Sequence, residues 1–202
     1  GDLDRDGDVD VVAGNFQQPN VFYLNDGAGN FTAGTEVAPR AGGTWRVHLV
    51  DVDGDSDLDI IESMSDDTNY LYSNQLVESG GVVSFSESVR ITTESFTTRS
   101  LALGDVDNDG DTDFIAGDQN AGNHIYRWFD GSFRARGEVH NNTNTTFSVS
   151  LADVDGDGWL DLVEGNAGAT TQIYFNQGIA NPGFFNAPVV LADSNALHTT
   201  VS

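Results

Sequence analysis

Aspartates recur in this chain at a spacing suited to holding a cation. They alternate in "DLDRDGDVD" (2–10), "DVDGDSDLD" (51–59), "DVDNDGDTD" (105–113) and "DVDGDGWLD" (153–161). Three alternating carboxylates and a fourth at the ninth position surround one point, where their mutual repulsion amounts to several kcal/mol. A hard divalent ion removes that conflict. Calcium fits best, because it accepts six to eight oxygens in flexible geometry, whereas magnesium keeps its waters. The spacing assigns side-chain ligands to positions 1, 3, 5 and 9. These are Asp2, Asp4, Asp6 and Asp10; Asp51, Asp53, Asp55 and Asp59; Asp105, Asp107, Asp109 and Asp113; and Asp153, Asp155, Asp157 and Asp161. Position 7 is Asp8, Asp57, Asp111 and then Trp159, so it is expected to contribute its main-chain carbonyl. Position 6 is Gly7, Gly110 and Gly158, as a turn with positive φ favours; Ser56 breaks that pattern in the second loop.

The fourth loop also carries Glu164 at position 12, where an EF-hand places its bidentate glutamate. The second has Glu62 there, but the first and third have Ala13 and Ala116. Half the copies lack the residue, and the flanking segments read as strands. The loop is therefore expected to join two strands rather than two helices.

The loops start 49, 54 and 48 residues apart, and the segments between them align. An apolar run follows each loop ("VVAG", "IIES", "FIAG", "LVEG"), then an aromatic segment ("NVFYLND", "NYLYSNQ", "HIYRWFD", "TQIYFNQ"). A third segment ("FTAGTEV", "SFSESVRI", "FRARGEV", "FNAPVVL") precedes a fourth that leads into the next loop ("TWRVHLVD", "TTRSLALGD", "TTFSVSLAD"). Period-two alternation, β-branched and aromatic enrichment and turns such as "NDGAGN" are strand-and-hairpin signals. Four strands in about fifty residues is the repeat of a β-propeller blade. The expected fold is all-β: a propeller of four-stranded antiparallel blades spanning 1–202 as one region, with repeats near 1–50, 51–104, 105–152 and 153–202. Thr44, Thr98 and Thr146 each precede a loop by seven residues, and Thr200 continues the series. The chain thus opens on a loop without its first strand and ends on a first strand without its loop. It is expected to form part of a larger ring or assembly, with 197–202 supplying a missing strand within the molecule or to a neighbouring copy.

The words "GDLDRDGDVDVVAGN", "YLNDGAGNFT", "LGDVDNDGDTDFIAGD" and "LADVDGDGWLDLVEGN" resemble the FG-GAP/VCBS repeat family, the calcium-loop blades of integrin α-subunit propellers and of many bacterial secreted proteins. The resemblance covers essentially the whole chain. It implies that each loop joins the first two strands of a blade, with about four calcium ions on one rim. The opposite rim, built from 15–20, 64–69, 117–124 and 165–171 with 38–43, 92–97, 139–145 and 192–198, would meet a protein or glycan partner. The family commonly closes seven blades, and four are present here.

Composition narrows the function further. Against 32 acidic residues stand 8 basic ones, all arginine, for a formal charge of −24. Such a chain repels nucleic acid and anionic membranes. Cysteine is absent, so neither disulfides nor thiolate metal sites are available, and a metal is an alternative staple. No apolar run is long enough for a membrane span. The expected role is a secreted or cell-surface module, bacterial in origin, that binds, adheres or self-assembles through its incomplete terminal blade. Trp45, Trp128 and Phe16 are candidate sugar-stacking residues, although packing explains them as well.

An enzyme is not expected; the alternative is the propeller portion of a secreted polysaccharide-acting enzyme. His48, His124, His140 and His198 occupy no common repeat position, and Glu62, Glu164 and Asp118 make a poor acid/base set. A pocket joining a histidine to an uncommitted carboxylate would favour the alternative. Sequons at Asn30, Asn141 and Asn144 permit glycosylation only in a eukaryotic secretory route.

Overall fold

The computed structural model describes residues 1–65, 68–76, 80–93, 96–140 and 144–194. It divides into two compact units, Gly1–Ser95 and Phe96–Ser202. The first unit holds β1 (Val11–Ala13), β2 (Phe16–Gln18), β3 (Val21–Tyr23), β4 (Thr35–Glu36), β5 (Gly42–Val50), β6 (Asp59–Met64), β7 (Tyr70–Tyr72) and β8 (Val89–Arg90). The second holds β9 (Thr98–Gly104), β10 (Asp113–Asp118), β11 (His124–Phe129), β12 (Ser132–Glu138), β13 (Thr145–Ala152), β14 (Asp161–Ala167), β15 (Thr170–Tyr174) and β16 (Val189–Ser194). Among the described residues the helical element is the 3-10 turn Gly178–Ala180. Residues 195–202, including His198, Thr200 and the expected exchanged strand, lie outside the described residues, as does Asn141.

Each sheet is antiparallel, and in all four the strands lie in chain order. In the second unit the orders are β9-β10-β11-β12 and β13-β14-β15-β16. The strand leading into a loop pairs with the strand leaving it: Ala152 faces Asp161 and Gly104 faces Asp113. A sheet is therefore offset from the sequence repeat by one strand. The first repeat shows what that offset costs, since its sheet is the three-stranded β1-β3-β4. The neighbouring sheet has five strands, β2-β5-β6-β7-β8. Its extra strand β2 places Phe16 opposite Gly43, where a side chain on the glycine would meet the Phe16 ring at 3.2 Å.

The cores lie between the two sheets of each unit. In the first, Leu3, Phe22 and Val37 from repeat one pack with Ile60, Met64, Tyr70 and Tyr72 from repeat two. In the second, Ala102, Val106, Ile115 and Ile125 meet Val149, Leu162, Tyr174 and Phe185. The alternating apolar residues of the strands face inward as period-two patterning requires. The loops contribute too: Leu3 and Val106, each the residue after the first aspartate, are fully buried.

An asparagine ties loop one, and another ties loop three, to the sheet of the following repeat. Asn74 donates through Nδ2 to the Leu3 carbonyl at 3.0 Å, and Asn176 donates to the Val106 carbonyl at 2.9 Å. Asn176 Nδ2 also reaches the Leu160 carbonyl at 3.0 Å, and its Oδ1 accepts from the Gly178 N–H. Replacing it by alanine leaves two carbonyls short of a donor, which costs roughly 1–3 kcal/mol per group. Asn176→Ala should therefore lower the denaturant midpoint, measured by circular dichroism, well beyond Asn181→Ala on the exposed surface.

Candidate metal centres

The four loops share one hydrogen-bond scheme. The N–H at position 6 donates to the first aspartate: Gly7 to Asp2, Ser56 to Asp51, Gly110 to Asp105 and Gly158 to Asp153, at 2.9–3.0 Å. The N–H at position 7 donates to the aspartate at position 5, as in Trp159 to Asp157 at 2.9 Å. Positive φ occurs at position 6, as expected (Gly7, Ser56, Gly110, Gly158), and also at position 4 (Arg5, Gly54, Asn108, Gly156). The two glycines and the asparagine at position 4 carried that second signal.

The aspartate at position 9 does more than offer a ligand. Asp10, Asp59, Asp113 and Asp161 are all buried, and each accepts two main-chain N–H groups. One comes from the second loop residue (Leu3, Val52, Val106, Val154) at 2.7–3.1 Å. The other comes from beyond the third strand or at its end (Asn25, Asn74, Trp128, Asn176) at 2.8–3.0 Å. One carboxylate thus fixes the loop to two strands.

Carboxylate oxygens converge in every loop. Within 4.8 Å of one another lie those of Asp2, Asp4 and Asp6; Asp51, Asp53 and Asp59; Asp105, Asp107 and Asp113; and Asp153, Asp155 and Asp161. Positions 1 and 3 belong to every trio, joined by position 9 in three loops and by position 5 in the first. The remaining candidates Asp10, Asp55, Asp109 and Asp157 sit in the same loops with their carboxylates bonded to main-chain N–H groups. At position 7, Asp57 pairs with Arg5 at 3.3 Å, Asp8 lies against Gly27, and Asp111 is exposed. The Trp159 indole packs over Gly178, 3.3 Å from where a Cβ would stand.

Burial makes these charges costly. It pushes Asp59 up to about 6 and Asp113 up to about 7, with the neighbouring aspartates adding to both. Asp161 is raised by the same two causes. Two buried oxygens, Asp2 Oδ1 and Asp107 Oδ1, have no hydrogen-bond partner. An all-oxygen donor set with unsatisfied buried oxygens fits a hard divalent cation.

The FG-GAP-like repeat profile matches residues 2–62 and 105–164. The chain belongs to the FG-GAP-like repeat family. Each match runs from the first aspartate of one loop through the following loop to the middle of the strand beyond it. None of the curated proteins compared with the chain matches it. Among solved structures, one match is a protein from Bifidobacterium bifidum s17 provisionally named an exo-beta-1,3-galactanase. The TM-score is 0.53 and the identity 13%, over 90% of this chain and 65% of that one. The chain thus spans less than two thirds of that protein, and the likeness is one of fold.

The remaining candidates lie away from the loops. Glu62 accepts from Thr44, from the Tyr72 hydroxyl at 2.8 Å and from Arg40 at 3.4 Å. Glu164 accepts from Thr146 at 3.1 Å. The recurrent threonine therefore locks the far end of each inner strand, with Asp118 taking the part in repeat three at 2.7 Å from Thr98. Asp118 also bonds His124 Nδ1 at 3.0 Å, under a Phe96 ring stacked on the imidazole at 5.4 Å. Trp45 and Phe16 are exposed and Trp128 is buried. Asn30 is exposed, Asn144 half-buried and His140 exposed.

Two outcomes test this description. Ser56 holds φ 76° where glycine is unstrained, so Ser56→Gly should stabilise by about 0.5–1 kcal/mol, read as a higher denaturant midpoint. His48, in β5, is driven down to about 4 by burial and by Arg46, and its Nε2 lacks a partner. Protonation therefore favours the unfolded chain, whose histidine titrates near 6.5. The stability tied to neutral His48 is intact above about 6.5 and is lost as pH falls toward 4. Between pH 7 and pH 5, the native protein should lose more thermal stability than His48→Gln.

Proposed function

We propose that the chain is a calcium-stapled module of a secreted or cell-surface protein, and that its role is binding or assembly. The observation that supports this most is the fourfold recurrence of a carboxylate trio built on positions 1 and 3, in loops that each hold a buried aspartate clamping the main chain. Positions 1, 3, 5 and 9 of every loop would hold the ion, with the main-chain carbonyl of Asp8, Asp57, Asp111 or Trp159. Calcium would supply countercharge. Four ions bring the formal charge from −24 to −16, and a site absent from the unfolded chain converts binding energy into folding energy.

In this reading the blade-like sheets are segments of a propeller, part of a larger ring or a self-associating array. The segments that join second to third strands, remote from the aspartates, would meet a protein or glycan partner. Their sequences differ from repeat to repeat while the loops do not, which suits a common scaffold with local recognition. Strong acidity leaves no role in binding nucleic acid or inserting into a membrane.

A second reading, a portion of a polysaccharide-acting enzyme, is favoured by the Asp118–His124 pair. Against it, both side chains are buried, and Asp118 is already engaged by Thr98. Release of galactose from β-1,3-galactan, abolished in His124→Ala, would support the second reading; the first expects none.

The calcium reading is tested by melting with and without EDTA. At free calcium a hundred times Kd, each site adds about 2.7 kcal/mol. Stripping all four should lower the midpoint by on the order of 20 °C. A midpoint that EDTA leaves unchanged would sink the proposal.

A further inference from the structure

The third repeat carries a cleft of about 310 Å³ beside its aspartate loop, lined by Asp107, Asp109, Arg127, Phe129, Arg134 and Arg136 among others. Three of the eight cations of a chain with net charge −24 stand in its wall. Arg127 and Arg134 face one another directly across the β11–β12 pair, an arrangement that destabilises a sheet when nothing neutralises it. Arg136 lies over the Phe184 ring at 4.7 Å and Arg134 over Phe129 at 4.6 Å. Asp107 pairs with Arg127 and Asp130 lies 3.9 Å from Arg134, so Arg136 is the guanidinium held by stacking without an acidic partner among the described residues.

Arg127 is incompletely satisfied. It forms an ion pair with Asp107 and donates to the Pro182 carbonyl, yet its Nε–H is buried with no acceptor. In loops one, two and four the position 5 N–H bonds the aspartate at position 3, in loop four together with the one at position 1. In loop three Asp109 donates to Asp105, at 3.1 Å.

The geometry points to a carboxylate-binding site here, one that takes a single carboxylated sugar ring, a uronic acid residue. The anion answers the Arg136 guanidinium and the orphan Arg127 donor, because guanidinium groups present paired N–H donors that match a carboxylate. Phe129, 57% exposed, offers an apolar flank to the ring carbons. The volume lies at the lower end of small-ligand pockets and suits one monosaccharide rather than a peptide. Asp107 and Asp109 would repel such a ligand while loop three is uncompensated. An ion in that loop cancels them, so the site works only with calcium; this step rests on the reading of the loops given above. Coupling is reciprocal, and the uronate in turn tightens loop three.

The test is a 1H–15N NMR titration of the whole chain with D-glucuronate, in calcium and in EDTA, with D-glucose as the neutral counterpart. Calcium uptake is measured separately by calorimetry. The expected result is saturable shifts confined to amides near 127–136 with glucuronate in calcium. Affinity should fall at least tenfold in EDTA, in Arg127→Gln and in the double variant Arg134→Gln/Arg136→Gln, and glucose should produce no such shifts. The double variant changes exposed side chains, and its calcium uptake and melting check that it is folded. Calcium-loaded protein that ignores glucuronate, or binds glucose equally, overturns the cleft alone. So does affinity unchanged in the folded double variant. A protein that takes up no calcium overturns the reading of the loops, whatever glucuronate does.

Discussion

The structure depends on burying one carboxylate per repeat. Asp10, Asp59, Asp113 and Asp161 each receive a main-chain N–H from the start of their loop and another from the third-strand side. Two directed bonds close the loop and fix which residues face each other across three strands. The same burial makes the charge expensive and raises Asp59 and Asp113 well above the ordinary carboxylate range, with the aspartates crowded beside them adding to it. Hydrogen bonds alone leave that conflict in place. The clamp and the need for a positive charge are therefore one fact seen from two sides.

From that clamp the rest of each unit follows. Closing the loop buries its second residue in loops one to three, and in loops one and three that residue, Leu3 or Val106, enters the core between two sheets. Its carbonyl then needs a donor, which Asn74 or Asn176 supplies from the next repeat. Polar bonding at the sheet end and apolar packing at the centre are thus set by the same residues. A small sheet, which alone buries little, gains its partner through the loop.

Much of this was legible because repetition multiplies weak signals. Four spaced aspartates and the strand alternation each recur in register, so the loops and the strands could be read from the chain. The sequence could not separate the two duties of position 9, since ligand and main-chain clamp ask for the same residue type. It also concealed the asparagine ties. Asn25, Asn74 and Asn176 recur in three repeats, but only geometry shows which carbonyl each one meets. Contacts made once, such as Arg5 with Asp57 and Arg127 with Asp107, depend on side-chain reach and leave no periodic trace.

That contrast between repeated and single features locates where this chain has been specialised. The third repeat departs most from the others. It has Trp128 where the other three place asparagine, Asp118 and His124 at the far end of its inner strands, and Arg127, Arg134 and Arg136 on one hairpin. None of these residues is needed to build a sheet, because three sheets are built without them. Several work against stability, through like charges facing across strands or an unsatisfied buried donor. A scaffold that repeats its solutions elsewhere and abandons them in one repeat is under a demand there other than folding. Recognition is the demand that cationic and aromatic groups at a cleft can meet.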